Sequence, residues 1–196
     1  MIRFRKDMLD KSKPVIIGFS AGADSLAAYH FLLNGGWNIR PLFINHFTPD
    51  CVRVLEFIHT KHMNNVIIEK INHVPNLKSK EEYWRKERLR IFSKYEQVIT
   101  AHHLNDAVET WLFSSINGNP KLPMWDNGIV KRPFLQTKKQ DFIDYCFRHK
   151  LEWVEDKSND DLSHPRNRIR HETMRSILKI NPGIEKTIFK KLDLCR

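Results

Sequence analysis

Val15-Ile16-Ile17-Gly18-Phe19-Ser20-Ala21-Gly22-Ala23-Asp24-Ser25-Leu26-Ala27-Ala28 is the stretch that decides the fold. Residues 15–19 are an apolar, β-branched run and read as a buried strand. The following DSLAAYHFLLN reads as a helix that Gly35-Gly36 ends. Between them lies a loop of small polar residues, Ser20 to Ser25, of the kind that holds an anion. Gly22 lets the backbone come close, and the first amides of the helix point at whatever is held there. Ser20 and Ser25 add hydroxyls. It is not a Walker loop, since no Gly-Lys-Ser/Thr follows the glycine. Asp24 repels phosphate, so it reads either as a helix cap or as a ligand of a magnesium ion that accompanies a nucleotide.

The pattern repeats along the chain. Residues 39–46 and 66–69 read as a second and third strand, separated by the helix DCVRVLEFIHTKHM with apolar residues at Val54, Leu55 and Ile58. Ser79 with Glu82 has the form of a capping box and opens a helix to about Tyr95. Residues 97–101 read as a fourth strand running into His102-His103, followed by the helix DAVETWLFSSI. NGNPKLPMWDNG is a loop. IVKRPF reads as a short fifth strand, and Thr137 with Gln140 as a second capping box that starts a helix to about His149. Short apolar strands alternating with helices predict an α/β fold, a parallel sheet with helices on both faces. Ligands of such sheets bind beyond the carboxyl ends of the strands. Ser20–Ser25, His46 and the run from His102 to Glu109 all fall there.

At the fourth strand end, Asp106 and Glu109 share a helix face. With His102 and His103 they suit a metal, a nucleotide or a cationic substrate. Adjacent histidines on a strand point to opposite faces, which disfavours a zinc site. The three cysteines, Cys51, Cys146 and Cys195, are far apart and form no CxxC pair, which fits a reducing, cytoplasmic setting. No apolar run reaches the roughly 18 residues of a membrane span, so no membrane partner is expected. The formal charge of +10 points to a polyanionic partner. From Arg166 onward nine Lys or Arg accompany three Asp or Glu. We expect two units: residues 1–155 as the catalytic domain and 156–196 as a basic helical extension outside the sheet.

Taken together, these residues resemble a known family. FSAGADS is similar to the SGGxDS pyrophosphate loop of the PP-loop, or N-type, ATP pyrophosphatases, with their adenine nucleotide alpha hydrolase-like fold. AHHLNDAVET resembles the AHHxDDxxET signature of the tRNA(Ile)-lysidine synthetases. RPFL, WVEDKSND and RNRIRHE follow in that family's order and spacing, so the resemblance runs from about Val15 to Pro182. It implies a cytoplasmic ligase that uses ATP and Mg2+. The enzyme adenylates C2 of the wobble cytidine in an isoleucine tRNA with a CAU anticodon, and free L-lysine then displaces AMP to give lysidine. ATP binding falls to Ser20, Ala21, Gly22, Ala23, Asp24, Ser25, His46 and His102, with Asp24 as the magnesium ligand. Asp24, Asp106, Glu109 and Arg85 become the catalytic set, Arg85 meeting the lysine carboxylate. Arg132, Arg166, Asn167, Arg168 and Arg170 become the tRNA-facing set. The family often forms homodimers. A thiolating relative, a relative that ligates a different amine to a tRNA base, and a decayed nucleotide- or RNA-binding protein are the alternatives; the missing CxxC pairs speak against the first and the retained acids against the last. The sequence departs from the pattern at Ala21, where the family has glycine, and at Asn105, where it has aspartate. We further expect a short form that lacks the C-terminal domains carried by many members of that family.

Overall fold

The computed structural model describes residues 1–71, 80–155 and 161–195. Four strands form one parallel sheet: β1 (Val15–Gly18), β2 (Ile39–Asn45), β3 (Ile67–Lys70) and β4 (Val98–Ile99), in the order β3-β2-β1-β4. The chain winds from β1 outward through β2 to β3, then returns to the far side of β1 for β4. The strand order therefore reverses between β1 and β4, and a crevice opens at their carboxyl ends.

Helices α1 (Ala23–Asn34), α2 (Pro49–Thr60) and α5 (Lys139–Arg148) cover one face of the sheet. Val15, Ile17 and Ile39 meet Leu32 of α1 and Phe142 of α5 there, and Phe43 meets Val54 of α2. Alternate strand residues Ile16, Leu42 and Ile44 face the other side, onto Ile91 and Phe92 of α3 (Lys80–Phe92). Burial on both faces is why these strands read as continuous apolar runs. Pro41 sits inside β2 without breaking it. The carbonyls of Asn38 and Leu42 bond toward β1, so Pro41 turns its nitrogen to the β3 side, where pairing starts only at Leu42.

A second core lies on α4 (Leu104–Ile116). Leu104, Val108 and Leu112 pack against Trp125, Leu135 and the C-terminal helices through Ile169, Ile184, Ile188 and Leu192. Those helices are α6 (Pro165–Arg168), a π-helical segment (Ile169–Thr173), α7 (Met174–Ile180) and α8 (Ile184–Leu194). The C-terminal helices thus share their apolar core with α4. Among the described residues no helix is long and apolar enough to cross a membrane.

Several expectations are corrected. IVKRPF forms no strand: only Lys131 bridges, to Ile99 and to Asp126, because the amide of Arg132 turns away to Trp125 O (2.7 Å) and Pro133 has none. β4 is correspondingly two residues long. Thr137 does not cap α5. Its hydroxyl donates to Arg3 O (2.7 Å) and accepts from Arg3 N (2.9 Å), and Lys138 holds the N-cap position instead, its amide donating to Asp141 Oδ2 (3.3 Å). The capping box at Ser79 and the DKSND part of the WVEDKSND motif lie outside the described residues.

Candidate active site

The loop between β1 and α1 is internally tied. Ser20 N donates to Ser25 Oγ (3.2 Å), the two hydroxyls lie 3.3 Å apart, and Ser25 Oγ donates to Gly22 O (3.1 Å). Gly22 is the N-cap of α1, so the amides of Ala23, Asp24 and Ser25 in the first turn have no helical acceptor and form an anion-binding end. The conformational demand falls on Ala21, where the sequence departs from the family's glycine. Gly22 has a φ of −71°, whereas Ala21 has +55° and is fully buried. A non-glycine residue there costs about 1–2 kcal/mol. Tertiary contacts hold it: the methyl packs with Phe19, Leu26 and Phe43, and Ala21 O accepts from Val154 N (2.9 Å).

Across the crevice, β4 leads through His102-His103 into α4. The two rings diverge: His102 is exposed and His103 is buried at 3%. His103 caps α4, since Asp106 N donates to its Nδ1 (3.3 Å) and His103 N donates to Asp106 Oδ2 (2.9 Å). Its other nitrogen, Nε2, lies 3.5 Å from Asp24 Oδ2. Burial opposes a charge on His103, yet Asp106 and Asp24 outweigh it and raise its pKa. Burial likewise opposes the Asp106 carboxylate, but His103, His102, the His103 amide and Arg170 together lower its pKa.

Glu109, one turn further along α4, is buried. It accepts a two-pronged bond from Arg170, at 2.8 Å from Nε and 2.9 Å from the second nitrogen, and Arg170 also stands 3.8 Å from Asp106 Oδ1. Arg170 therefore turns into the site rather than outward with Arg166 and Arg168, which are exposed. Arg168 leans on Glu172 (3.7 Å), and Asn167 donates to Asp161 O (2.9 Å).

A basic rim surrounds the acids. Desolvation first, then Arg132 and Arg166, push the His102 imidazole down to about 4, against the pull of Asp106; its exposed edge softens the desolvation. Thr100 Oγ1 holds its Nδ1 at 2.7 Å. Burial and the neighbouring charge of Arg85 lower the Arg132 guanidinium, so Arg85 on α3 belongs to the same rim. His46 stands apart at the end of β2, edge-on to Trp84 with ring centroids 5.5 Å apart. Burial and Arg88 lower its pKa. Asn105 turns away from the site: it accepts from Lys139 N (3.0 Å) and donates to Glu185 Oε1 (3.1 Å), joining α4 to α5 and α8. The motif's missing carboxylate is thus replaced by a structural amide.

Asp24 Oδ1 is buried without a hydrogen-bond partner. A lone carboxylate oxygen beside an anion loop fits a magnesium ion, which binds one or two carboxylates together with nucleotide phosphates. Among the described residues no three His, Cys, Asp or Glu gather closely enough to hold a metal by themselves. The sequence reading named His103 among the polar groups at this strand end but gave the site role to His102; it is His103 that lies between Asp24 and Asp106 and joins the two halves of the crevice. The signal was present in the paired histidines, one of which had to point inward.

A family profile described as PP-loop domain matches residues 2–177. The tRNA(Ile)-lysidine synthase of Francisella philomiragia is 30% identical over 200 residues, covering 92% of this chain and 50% of the relative. That of Wigglesworthia glossinidia brevipalpis is 28% identical, covering 98% and 55%. The chain spans about half the length of the curated relatives it matches. Among solved structures, a U34-tRNA thiolase from Methanococcus maripaludis superposes with a TM-score of 0.70 at 16% identity, over 97% of this chain and 75% of that one. At that identity the likeness is one of fold.

Proposed function

Since the chain belongs to the PP-loop domain family, we propose that it is an ATP-dependent tRNA-modifying ligase that joins lysine to C2 of the wobble cytidine of a CAU-anticodon isoleucine tRNA. The observation that carries this reading is Glu109 and Asp106 gripping a guanidinium in the same crevice as an anion loop. An acidic pocket beside a phosphate cradle suits a cationic amine reacting at a nucleotide-activated centre.

In this reading the amides of Ala23, Asp24 and Ser25 and the Ser20 hydroxyl stabilise the pyrophosphate that leaves as the cytidine oxygen attacks the α-phosphorus. No lysine need follow the γ-phosphate, because the β- and γ-phosphates depart together. Asp24 Oδ1 would hold magnesium, which neutralises phosphate charge when bound. The lysine ε-amine then displaces AMP from C2. Asp106 and Glu109 attract the lysine's ammonium groups in place of Arg170, one of the two carboxylates taking the ε-ammonium proton before that nitrogen attacks, and Arg85 meets the lysine carboxylate. Arg132, Arg166, Asn167 and Arg168 contact the tRNA backbone.

The test is incubation with ATP, labelled lysine and mixed tRNA, followed by nucleoside analysis. Label in a modified cytidine is expected; absence of any ATP–pyrophosphate exchange refutes the reading. Asp106→Asn should abolish modification and leave tRNA binding intact. Wild-type turnover in that variant would remove Asp106 from the site.

A further inference from the structure

We propose that His103 is a positioning residue that orients the Asp24 carboxylate: its Nε2–H engages Oδ2 and leaves Oδ1 facing the ligand site. The proposal rests on the reading of this crevice as a magnesium–ATP site. It begins with an odd choice of residue. Ser, Thr, Asp and Asn are the favoured N-caps, and a buried imidazole is a costly substitute if capping is its only duty. His103 does cap, accepting the Asp106 amide at Nδ1. The ring has a second nitrogen, however, and that atom faces Asp24 on the far side of the crevice at 3.5 Å.

The tautomer follows from the cap. In the neutral ring the Asp106 amide requires a bare Nδ1, so the proton sits on Nε2. In the protonated ring Nε2 again carries a proton, and Nδ1–H turns to Asp106 Oδ2, 3.4 Å away. Either form presents Nε2–H to Asp24. The consequence is visible on Asp24, whose two oxygens differ: Oδ2 faces a donor, while Oδ1 is buried and unpartnered. His103 itself is held in place by burial at 3% and by Phe142, its ring centroid 6.3 Å away. Groups that orient metal-binding side chains from behind typically change metal affinity 10–100-fold when removed.

Two substitutions separate the capping duty from the orienting one. In His103→Asn the side-chain oxygen stands near the place of Nδ1 and keeps the cap, but nothing reaches Asp24. In His103→Gln the amide nitrogen stands near the place of Nε2 and keeps the donor, but the cap is lost. The measurement is the dissociation constant of ATP by calorimetry, with and without magnesium and in the absence of tRNA and lysine, alongside thermal melts. We expect His103→Asn to melt like the wild type and to lose about ten-fold or more of the affinity that magnesium adds. His103→Gln should melt lower and retain most of that gain. An unchanged magnesium gain in His103→Asn overturns the proposal and leaves His103 a helix cap. An equal loss in both variants also overturns it, since a donor at Nε2 would then not be what matters. Failure of the wild type to bind ATP at all would instead remove the site reading, and this proposal with it.

Discussion

Replacing Glu109 with Gln should destabilise the fold by about 2 kcal/mol, and nearly all of that cost should depend on Arg170. The carboxylate side chain is 8% exposed and the guanidinium 27%, and two charge-assisted bonds of 2.8 and 2.9 Å join them. Breaking a fully buried pair by removing one partner costs about 3–5 kcal/mol, because a bare charge stays behind. Two features of this pair lower the figure. The Arg170 side chain is partly exposed to water, which screens it, and Asp106 stands 3.8 Å away as a second counter-charge. For a chain of this size about 2 kcal/mol corresponds to a fall in melting temperature of roughly 4–8 °C. The assay is urea unfolding of the wild type, Glu109→Gln, Arg170→Gln and the double variant. The double variant should be little worse than either single one. If the single costs instead add to within about 0.5 kcal/mol, the residues act independently and the pair does not exist in solution.

Ala21→Gly should change stability by less than about 1 kcal/mol. Relief of the positive φ (about 1–2 kcal/mol) is offset by the flexibility of glycine (about 0.5–1 kcal/mol) and by the lost burial of one methyl (about 0.8 kcal/mol); chemical denaturation checks this, and a gain above about 1 kcal/mol would show that the methyl contributes little. Asn105→Asp, although it restores the family's acid, should cost about 1–2 kcal/mol by setting a carboxylate against Glu185 and removing the donor to it. Adding Glu185→Gln should recover most of that loss, as read by melting temperature. Burial first, and the charge of Asp24 second, push the Cys146 thiol up to about 11. A thiol reagent at pH 8 should therefore modify exposed Cys195 in the native protein and reach Cys146 only after unfolding, which intact-mass measurement resolves.

The sheet was legible because both faces of its central strands are covered, so β1 and the latter part of β2 print as apolar runs, while the edge strand β3 alternates half-buried and exposed residues. The site was legible in outline for a related reason: chemically active residues cluster at strand ends, and strand ends can be read once strands can. Direction was harder to read. Arg166 and Arg170 are four residues apart and would share one face of a regular α-helix, which groups them as one basic surface. Arg170 instead points at Glu109, the buried carboxylate that α4 sets against that turn, a contact 61 residues apart in sequence. The same limit applies to Asn105, whose partners Lys139 and Glu185 lie 34 and 80 residues away. Substitution at a motif position looks like loss of charge until those distant partners are placed beside it.

The buried, positive-φ alanine at position 21 has a consequence for the order in which the molecule assembles. A glycine at that turn would let the strand and helix on either side meet through local preference alone. With alanine the isolated segment favours other shapes, and the native turn gains its stability from Phe43, on a neighbouring strand, and from Val154, far along the chain. We expect this loop to take its native shape late in folding, once the sheet and the segment near residue 154 have come together. Its substitutions should speed unfolding while leaving the folding rate nearly unchanged. A chain cut short before residue 154 would carry every residue of the phosphate loop and lack the contact that shapes it.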